Sequence, residues 1–379
     1  MSICIVDDNP VNLMLVERIL KNAGYPSIIT AESAKQLYRI LQESAERTTG
    51  IHVDLILMDL MMPEIDGIEA CGYIQQHEIW RDIPIIIVTA LSDANLLARA
   101  LDAGAMDYVM KPINKIELLA RIRSALRLKQ EKDWHVERDR RIREELELAK
   151  QVQHSVLSSP IVNDHIMIRA CYRPSSELAG DMYAWQQIDA HRYAIMLYDV
   201  MGHGISSSLV CMFISSVLQS AMARLTDPEQ VIETLNQSMV GLCTEKSILN
   251  YYFTAIYVLI HTKEKTIEYV NAGHPPGMML AEDGQRTMLD QGSCAVGFFD
   301  TMPISKSRIS YEGPIRMALY TDGLLELWGS DMETGIEQVA NLLLRTRGEQ
   351  TIEELDKLID QEDRSTRQDD RCFILVDIH

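Results

Sequence analysis

Apolar and polar positions follow two different rhythms along this chain. From residue 1 to about 125, short aliphatic runs ("ICIV", "SIIT", "DLILMD", "IPIIIVTA", "DYVM") alternate with stretches such as 11–23 and 33–45, whose apolar residues recur at helical spacing. Unbroken aliphatic runs suit strands buried on both faces, and a helix between successive strands supplies the crossover that parallel pairing needs. The pattern predicts one doubly wound α/β domain over 1–125, with five parallel strands and five helices.

From Asn114 the helical pattern continues without Gly or Pro as far as Pro160. Apolar residues recur near a heptad early (Ile116, Leu119, Leu126) and late (Ile142, Leu146, Ala149, Val156), but "KQEKDWHVERDRRIREE" between them is almost wholly charged. Residues 126–164 therefore read as a helical linker, either a solvated spacer or a dimerising signalling helix with an interrupted coiled-coil seam.

From 165 to 379 the rhythm changes. Runs such as "IMIRACY", "YAIMLYDV", "YYFTAIYVLI", "TIEYVNAG", "RMALYTDG" and "DRCFILVDI" surround helical stretches near 205–224, 228–243, 333–346 and 351–363. Strands following strands predict an α+β domain, an antiparallel β-sandwich flanked by helices.

Composition narrows the possible partners. The 379 residues are 47 % apolar, enough for real cores, and the net charge of −19 disfavours nucleic acid and anionic membranes. A DNA-binding output is further disfavoured because the C-terminal half lacks a compact basic helical module. Seven scattered cysteines without a CxxC pair argue against disulfides or zinc, and no apolar run reaches the length of a membrane span. With no basic region ahead of the first apolar run, the expected location is the cytoplasm.

The chemistry concentrates at predicted strand ends. Asp7 and Asp8 end the first strand, Asp59 the third and Thr89 the fourth, while Lys111 follows the fifth. In a doubly wound sheet these side chains converge beyond the carboxyl edge. Three carboxylates there repel one another unless a hard cation such as Mg²⁺ sits among them. An Asp59 oxygen could then attack phosphorus, with Lys111 neutralising the phosphoryl oxygens and the Thr89 hydroxyl donating to one.

The set "VDDNP", "LMDLMMPEIDG", "VTA" and "YVMKP" resembles a response-regulator receiver domain of flavodoxin-like fold. The resemblance implies that Asp59 accepts phosphate from a histidine kinase, and that Asp8 and the Met61 carbonyl help Asp59 hold Mg²⁺ while Asp7 acts through water. It also makes Tyr108 the aromatic switch that follows Thr89.

A second acidic set lies in the C-terminal half. Asp181 stands in "LAGDMYAW", Asp199 ends a strand in "LYDVMGHG", Asp322 ends one in "LYTDGLLE", and Asp369 and Asp370 precede one in "RQDDRCFILV". Glycines beside three of these acids let backbone approach an ion or phosphate closely. An all-oxygen set without His or Cys selects Mg²⁺ or Mn²⁺, and two such ions can activate water for hydrolysis of a phosphate ester.

"GDMY", "DVMGHG", "NAGHPP", "YTDGLLE" and "DDRCFILV" resemble the metal-dependent Ser/Thr phosphatases of the PPM superfamily, in the SpoIIE and RsbU branch. The resemblance implies that Asp199 bridges two metal ions, that the Val200 carbonyl or the Gly202 region completes their coordination, that Asp181 and Asp322 bind on one side, and that Asp369 rather than Asp370 closes the site. It also implies a phosphoserine substrate in a STAS-domain anti-anti-sigma protein, within a partner-switching pathway that controls a sigma factor. A receiver-linked chain most resembles RsbY-type regulators of the general stress response, expected as a homodimer with Asp59 phosphorylation as the regulator. Ala184 and Cys372 depart from the branch, which usually has Asp and Thr there. Ala184 is what supports a competing reading, a phosphorylation-gated scaffold of weak catalysis that sequesters a partner. His274 in "NAGHPP" reads as a backbone-shaping residue, and His203 as either an anion cradle or a loop cap.

Overall fold

Each expected strand of the first half pairs in parallel, in a computed structural model that describes residues 1–45, 52–90, 93–243, 251–329, 331–361 and 369–379. The chain divides into two units, Met1–Ile142 and Arg143–His379. In the first, the order is β1 (Ser2–Val6), α1 (Pro10–Asn22), β2 (Ser27–Ala31), α2 (Ala34–Ala45), β3 (Leu55–Asp59), α3 (Gly67–Gln76), β4 (Ile85–Thr89), α4 (Ala94–Asp102) and β5 (Asp107–Met110), leading into α5 (Lys115–Ser155). The five strands lie in the order β2-β1-β3-β4-β5.

Period-two alternation sorts the two faces of this sheet. Ile3, Ile5, Leu55 and Leu57 meet Leu13, Val16 and Leu20 of α1 and Leu118 and Ile122 of α5. Cys4, Val6, Ile56 and Met58 meet Leu37 and Leu41 of α2 and Ile74 of α3. Helix starts follow local chemistry: the Asn9 side chain accepts from the Val11 amide ahead of Pro10, and Asp66 and Asp93 cap α3 and α4 in the same way. α5 is one helix of 41 residues that runs through the charged stretch.

The second unit contains β6 (Ile161–Val162), β7 (Ile166–Arg173), β8 (Asp181–Gln187), β9 (Arg192–Val200), α6 (Ile205–Arg224), α7 (Pro228–Cys243), β10 (Phe253–His261), β11 (Thr266–Ala272), β12 (Gly277–Ala281), β13 (Arg286–Leu289), β14 (Gly292–Ser293), β15 (Ser307–Ser310), β16 (Ile315–Tyr320), α8 (Asp322–Leu325), α9 (Met332–Arg345), α10 (Glu349–Gln361) and β17 (Arg371–Ile378). One sheet runs β14-β11-β10-β9-β8 with β15 added beside β11, and the other runs β13-β12-β16-β17-β7-β6. Pairing is antiparallel except between β11 and β14.

Alternation again builds the layers. Trp185, Ile195, Leu197, Ile256 and Val258 face Met317, Leu319, Ile374 and Val376 between the sheets. Met182, Met196 and Tyr198 on the reverse of the first sheet pack on Val210, Ile214 and Leu218 of α6 and Leu235 of α7. Tyr320, Phe373 and Leu375 pack on Leu342 and Leu343 of α9 and Leu355 of α10. The expected β-sandwich flanked by helices is the fold observed.

Three details differ from the sequence expectation. Asp322 does not end a strand: β16 stops at Tyr320, and Asp322 opens the short α8. β8, β12 and β13 lie outside the runs expected from the sequence, β8 pairing with β9 and β12 with β13 and β16. α6 is long and apolar enough to cross a membrane by length and composition. Half of it is buried instead against the sheet, with Ser207, Ser208 and Ser215 inside.

Candidate functional sites

At the carboxyl edge of the parallel sheet, carboxylate oxygens of Asp7, Asp8 and Asp59 all lie within 4.8 Å of one another. Asp7 and Asp59 are buried and Asp8 is exposed. The Lys111 ammonium stands 3.0 Å from Asp7 Oδ2 and 3.0 Å from Asp59 Oδ1. Asp7 is oriented by the Asn9 amide and the Asn12 side chain, which donate to its Oδ1 at 2.9 and 3.0 Å. The Leu60 amide donates to Asp59 Oδ1 at 3.0 Å.

Burial raises the Asp59 pKa and Lys111 opposes the rise, while hydrogen bonds to Asp7 and Asp59 raise Lys111 despite its own burial. Gly67 is required by space, since a Cβ there would run into the Asp59 carbonyl. Thr89 is fully buried at the end of β4. Tyr108 lies half-buried on β5 with the Arg121 guanidinium carbon 5.7 Å from its ring centre. The Met61 side chain is exposed. Three clustered oxygen donors beside one ammonium fit a single hard cation.

In the second unit, Asp181 and Asp199 stand directly opposite one another in the β8–β9 ladder. By strand alternation both point between the sheets, where Thr321 approaches from the other sheet within hydrogen-bonding reach of Asp181. Asp181 is wholly buried, and its Oδ2 has no hydrogen-bond partner among the described residues. Burial, then the neighbouring Asp199 and Asp370, drive the Asp181 pKa well up. Burial and Asp322 push Asp199 up to about 7.

Asp322 and Asp369 complete the group from α8 and from the approach to β17. Burial raises the Asp369 pKa, and Asp322, Asp370 and Glu326 add to the rise. Among the described residues, Asp369 Oδ1 accepts the neighbouring Asp370 amide at 2.8 Å. The adjacent Asp370 is engaged differently. Its Oδ1 accepts from the Ser175 amide and hydroxyl at 2.6 and 2.9 Å, and its Oδ2 accepts from the Gly180 amide at 2.6 Å.

Two glycines make the room. A Cβ on Gly180 would sit 2.9 Å from the Gly202 carbonyl oxygen and 3.2 Å from that of Val200. A Cβ on Gly323 would collide with the Asp370 carbonyl and stand 3.0 Å from Asp369 Cβ. Buried Arg371 donates from Nε to the Gly323 carbonyl at 3.0 Å, and Thr321 Oγ1 accepts the Cys372 amide at 3.0 Å.

Among the described residues, the oxygens of this second group do not close to the spacing of the first. The orphaned Asp181 oxygen and the carbonyl cradle at Gly180 fit hard cations, and an all-oxygen set fits Mg²⁺ or Mn²⁺.

Other singled-out residues take structural places. His274 is buried, its Nδ1 2.9 Å from Thr254 Oγ1, and burial pushes its pKa down to about 3. A neutral imidazole of that kind is no proton donor near neutral pH. Asn271 bonds both the amide and the carbonyl of His274, so the turn is held by its backbone. His203 is exposed ahead of α6. Ala184 packs toward α6 and α7, on the opposite face of β8 from Asp181. Sequence reading passed over Gln153, in the last turn of α5. Its Nε2 donates to the Ala179 carbonyl at 2.9 Å and its Oε1 accepts the Ala179 amide at 3.1 Å, two residues before Asp181.

Two protein families match this chain. The response regulator receiver domain family matches residues 3–123, and the family described as Stage II sporulation protein E (SpoIIE) matches residues 189–379. Phosphoserine phosphatase RsbP of Bacillus subtilis (strain 168) is 37 % identical over 239 residues, covering 62 % of this chain and 58 % of the relative. Transcriptional regulatory protein YvrH of the same organism is 39 % identical over 127 residues, 33 % of this chain and 49 % of its own. The chain thus spans about half the length of these curated relatives. The SiaA-PP2C domain of Pseudomonas aeruginosa superposes with a TM-score of 0.53 at 19 % identity, over 62 % of this chain and 97 % of that one, a likeness of fold. With half of its length matched by one family and most of the remainder by another, the chain belongs to the SpoIIE family and carries a response regulator receiver domain ahead of it.

Proposed function

We propose that the chain is a response regulator whose output is a metal-dependent protein-serine phosphatase. The observation that carries this reading is the buried, register-paired Asp181 and Asp199, both with pKa values raised by burial, with Asp181 Oδ2 unpartnered among the described residues. Such a pair costs stability unless ions bind to it. The printed activity of the 37 %-identical relative, a phosphoserine phosphatase, points to the same chemistry.

In this reading residues 1–125 are the receiver, 126–164 the helical linker and 165–379 the phosphatase. Asp199 would hold two ions, Mn²⁺ or Mg²⁺, with Asp181, Asp322, Asp369 and the Val200 carbonyl as the remaining protein donors. Bound there, such ions lower the pKa of water and stabilise charge during in-line displacement at phosphorus. The chain's own part is positioning. Asp370 ties the Gly180 backbone in place, Gly180 and Gly323 leave room for close approach, and Arg371 fixes the Gly323 carbonyl.

In the receiver, Asp59 is the phosphoacceptor for a histidine kinase, and Asp8, Asp59 and the Met61 carbonyl would hold Mg²⁺, with Asp7 acting through water. Lys111 neutralises the phosphoryl group, and Thr89 and Tyr108 report its arrival. The signal passes along α5, whose last turn grips Ala179 through Gln153. Exposed Leu128, Trp134, Ile142 and Leu148 along α5 suit a homodimer. The substrate is a serine-phosphorylated STAS-domain protein of a cytoplasmic partner-switching pathway. Phosphate release from such a protein, with and without acetyl phosphate, tests both parts. Equal rates in wild type and Asp59→Asn sink the gating, and no release sinks the substrate.

A further inference from the structure

We propose that an uncharged apolar rim beside the second acidic site docks the apolar surface flanking phosphoserine on a protein substrate. The inference rests on the phosphatase reading and adds how that substrate is recognised. Met201, two residues beyond Asp199, donates its amide to the Tyr252 carbonyl at 3.1 Å. The Tyr252 ring meets Phe298 edge-on at 5.3 Å, and Phe298 meets Phe299 at 4.9 Å. Ile205 and Leu209, one turn apart on one face at the start of α6, follow three residues after Gly202 on the same loop.

These side chains are not spare core. Ile205, Leu209, Phe298 and Phe299 are 57, 65, 57 and 52 % exposed, although Ser207, Ser208, Val210 and Cys211 between and beside them on α6 are buried. Isolated exposed apolar residues are ordinary on a surface, whereas an aromatic chain running back to a catalytic loop is what an interaction site looks like. The loop between β9 and α6 also reaches the neighbour of an acid. The Gly202 carbonyl, one residue past Met201, lies against Gly180, the neighbour of Asp181.

Charge identifies the occupant. In a chain of net charge −19, residues 200–223 and 291–299 contain no Asp, Glu, Lys or Arg. The cations proposed at the acids would hold the phosphate itself, and these uncharged stretches leave apolar burial to hold the residues that flank it. The same negative charge disfavours an anionic lipid surface as occupant.

Two phosphoserine peptides of equal length and charge provide the test, one with leucine and phenylalanine flanking the phosphoserine and the other with serine and glycine. With Mn²⁺ present, the wild-type chain is expected to show a kcat/KM about tenfold or more higher for the apolar-flanked peptide. Leu209→Ser and Phe298→Ser should remove that preference through KM while hydrolysing para-nitrophenyl phosphate at the wild-type rate, and Phe298→Leu should retain it. Equal rates on both peptides in wild type, hydrolysis of the aryl phosphate but of neither peptide, or a preference untouched by both serine variants would overturn the proposal. So would a rim that serves a second copy, seen as dimers lost in Phe298→Ser with peptide kinetics unchanged. Failure of the wild type on the aryl phosphate as well would instead remove the phosphatase reading beneath it.

Discussion

Asp370 reaches across to the Gly180 amide with a 2.6 Å hydrogen bond, fastening the start of β17 to the residue before Asp181. Adjacent acids on one loop therefore do different work: Asp370 spends both oxygens on backbone and hydroxyl donors, while among the described residues Asp369 accepts just the Asp370 amide, with Asp322 close by.

This division predicts opposite outcomes for two neighbouring substitutions. Asp370→Ala should lower stability by about 1–3 kcal/mol, because buried donors at Ser175 and Gly180 lose a charged acceptor. Asp369→Ala should leave the melting temperature of the metal-free protein unchanged or raised, and weaken Mn²⁺ binding. Thermal melts alongside Mn²⁺ titration calorimetry separate the two, and a reversed pattern would make Asp370 the metal donor.

The raised carboxyls predict how the metal-free protein responds to pH. Asp199 titrates near 3.8 when unfolded and is pushed to about 7 when folded. Its contribution to stability is therefore fully present below about pH 4 and is lost as pH rises toward 7. Melting temperature in chelator should fall across that window, fall less in Asp199→Asn, and fall less again with Mn²⁺ added. A wild-type profile identical to that of Asp199→Asn would show that no such strain exists.

Gly323 predicts a packing effect that can be separated from charge. Gly323→Ala places a methyl against the Asp370 carbonyl and 3.0 Å from Asp369 Cβ. The collision involves backbone, so a loss of about 1–3 kcal/mol is expected, together with weakened metal binding. Chemical denaturation measures the first, and an unchanged midpoint would contradict it.

In the receiver, Asp59→Asn should take up no phosphoryl group from acetyl phosphate with Mg²⁺ present. Thr89→Ala should still be labelled but should no longer change the output rate. Phosphate-affinity gel shifts read the first and phosphate release the second. Labelling of Asp59→Asn would place the acceptor elsewhere.

The parallel half was legible because its strands are short continuous apolar runs, with Asp7, Asp59, Thr89 and Lys111 at the ends of four of them, so periodicity and chemistry point to the same edge. The sandwich was legible in class but not in every strand. β8 reads "DMYAWQQ" and β12 "GMMLA", without the β-branched run that marks the other strands, and each becomes a strand by pairing with the next one along the chain, β9 and β13. The acids and the glycines beside them stood out as a recurring pattern. The different engagements of Asp369 and Asp370 did not, because "DD" carries no sign of which carboxylate meets Ser175 and Gly180. Gln153 was hidden in a charged helix, where only the fold shows that one polar side chain is buried. Asp322 was placed one element early because "ALYTDG" remains strand-like up to the residue where the chain turns into α8.

Hydrolysis of para-nitrophenyl phosphate by the full chain, titrated with Mn²⁺ after exhaustive chelation, tests most directly that the second acidic group works by holding cations. The expected result is no turnover in chelator, saturable recovery with Mn²⁺, and loss of at least about a hundredfold in Asp199→Asn and Asp322→Asn. Turnover that persists in chelator, or survives in both variants, would contradict it.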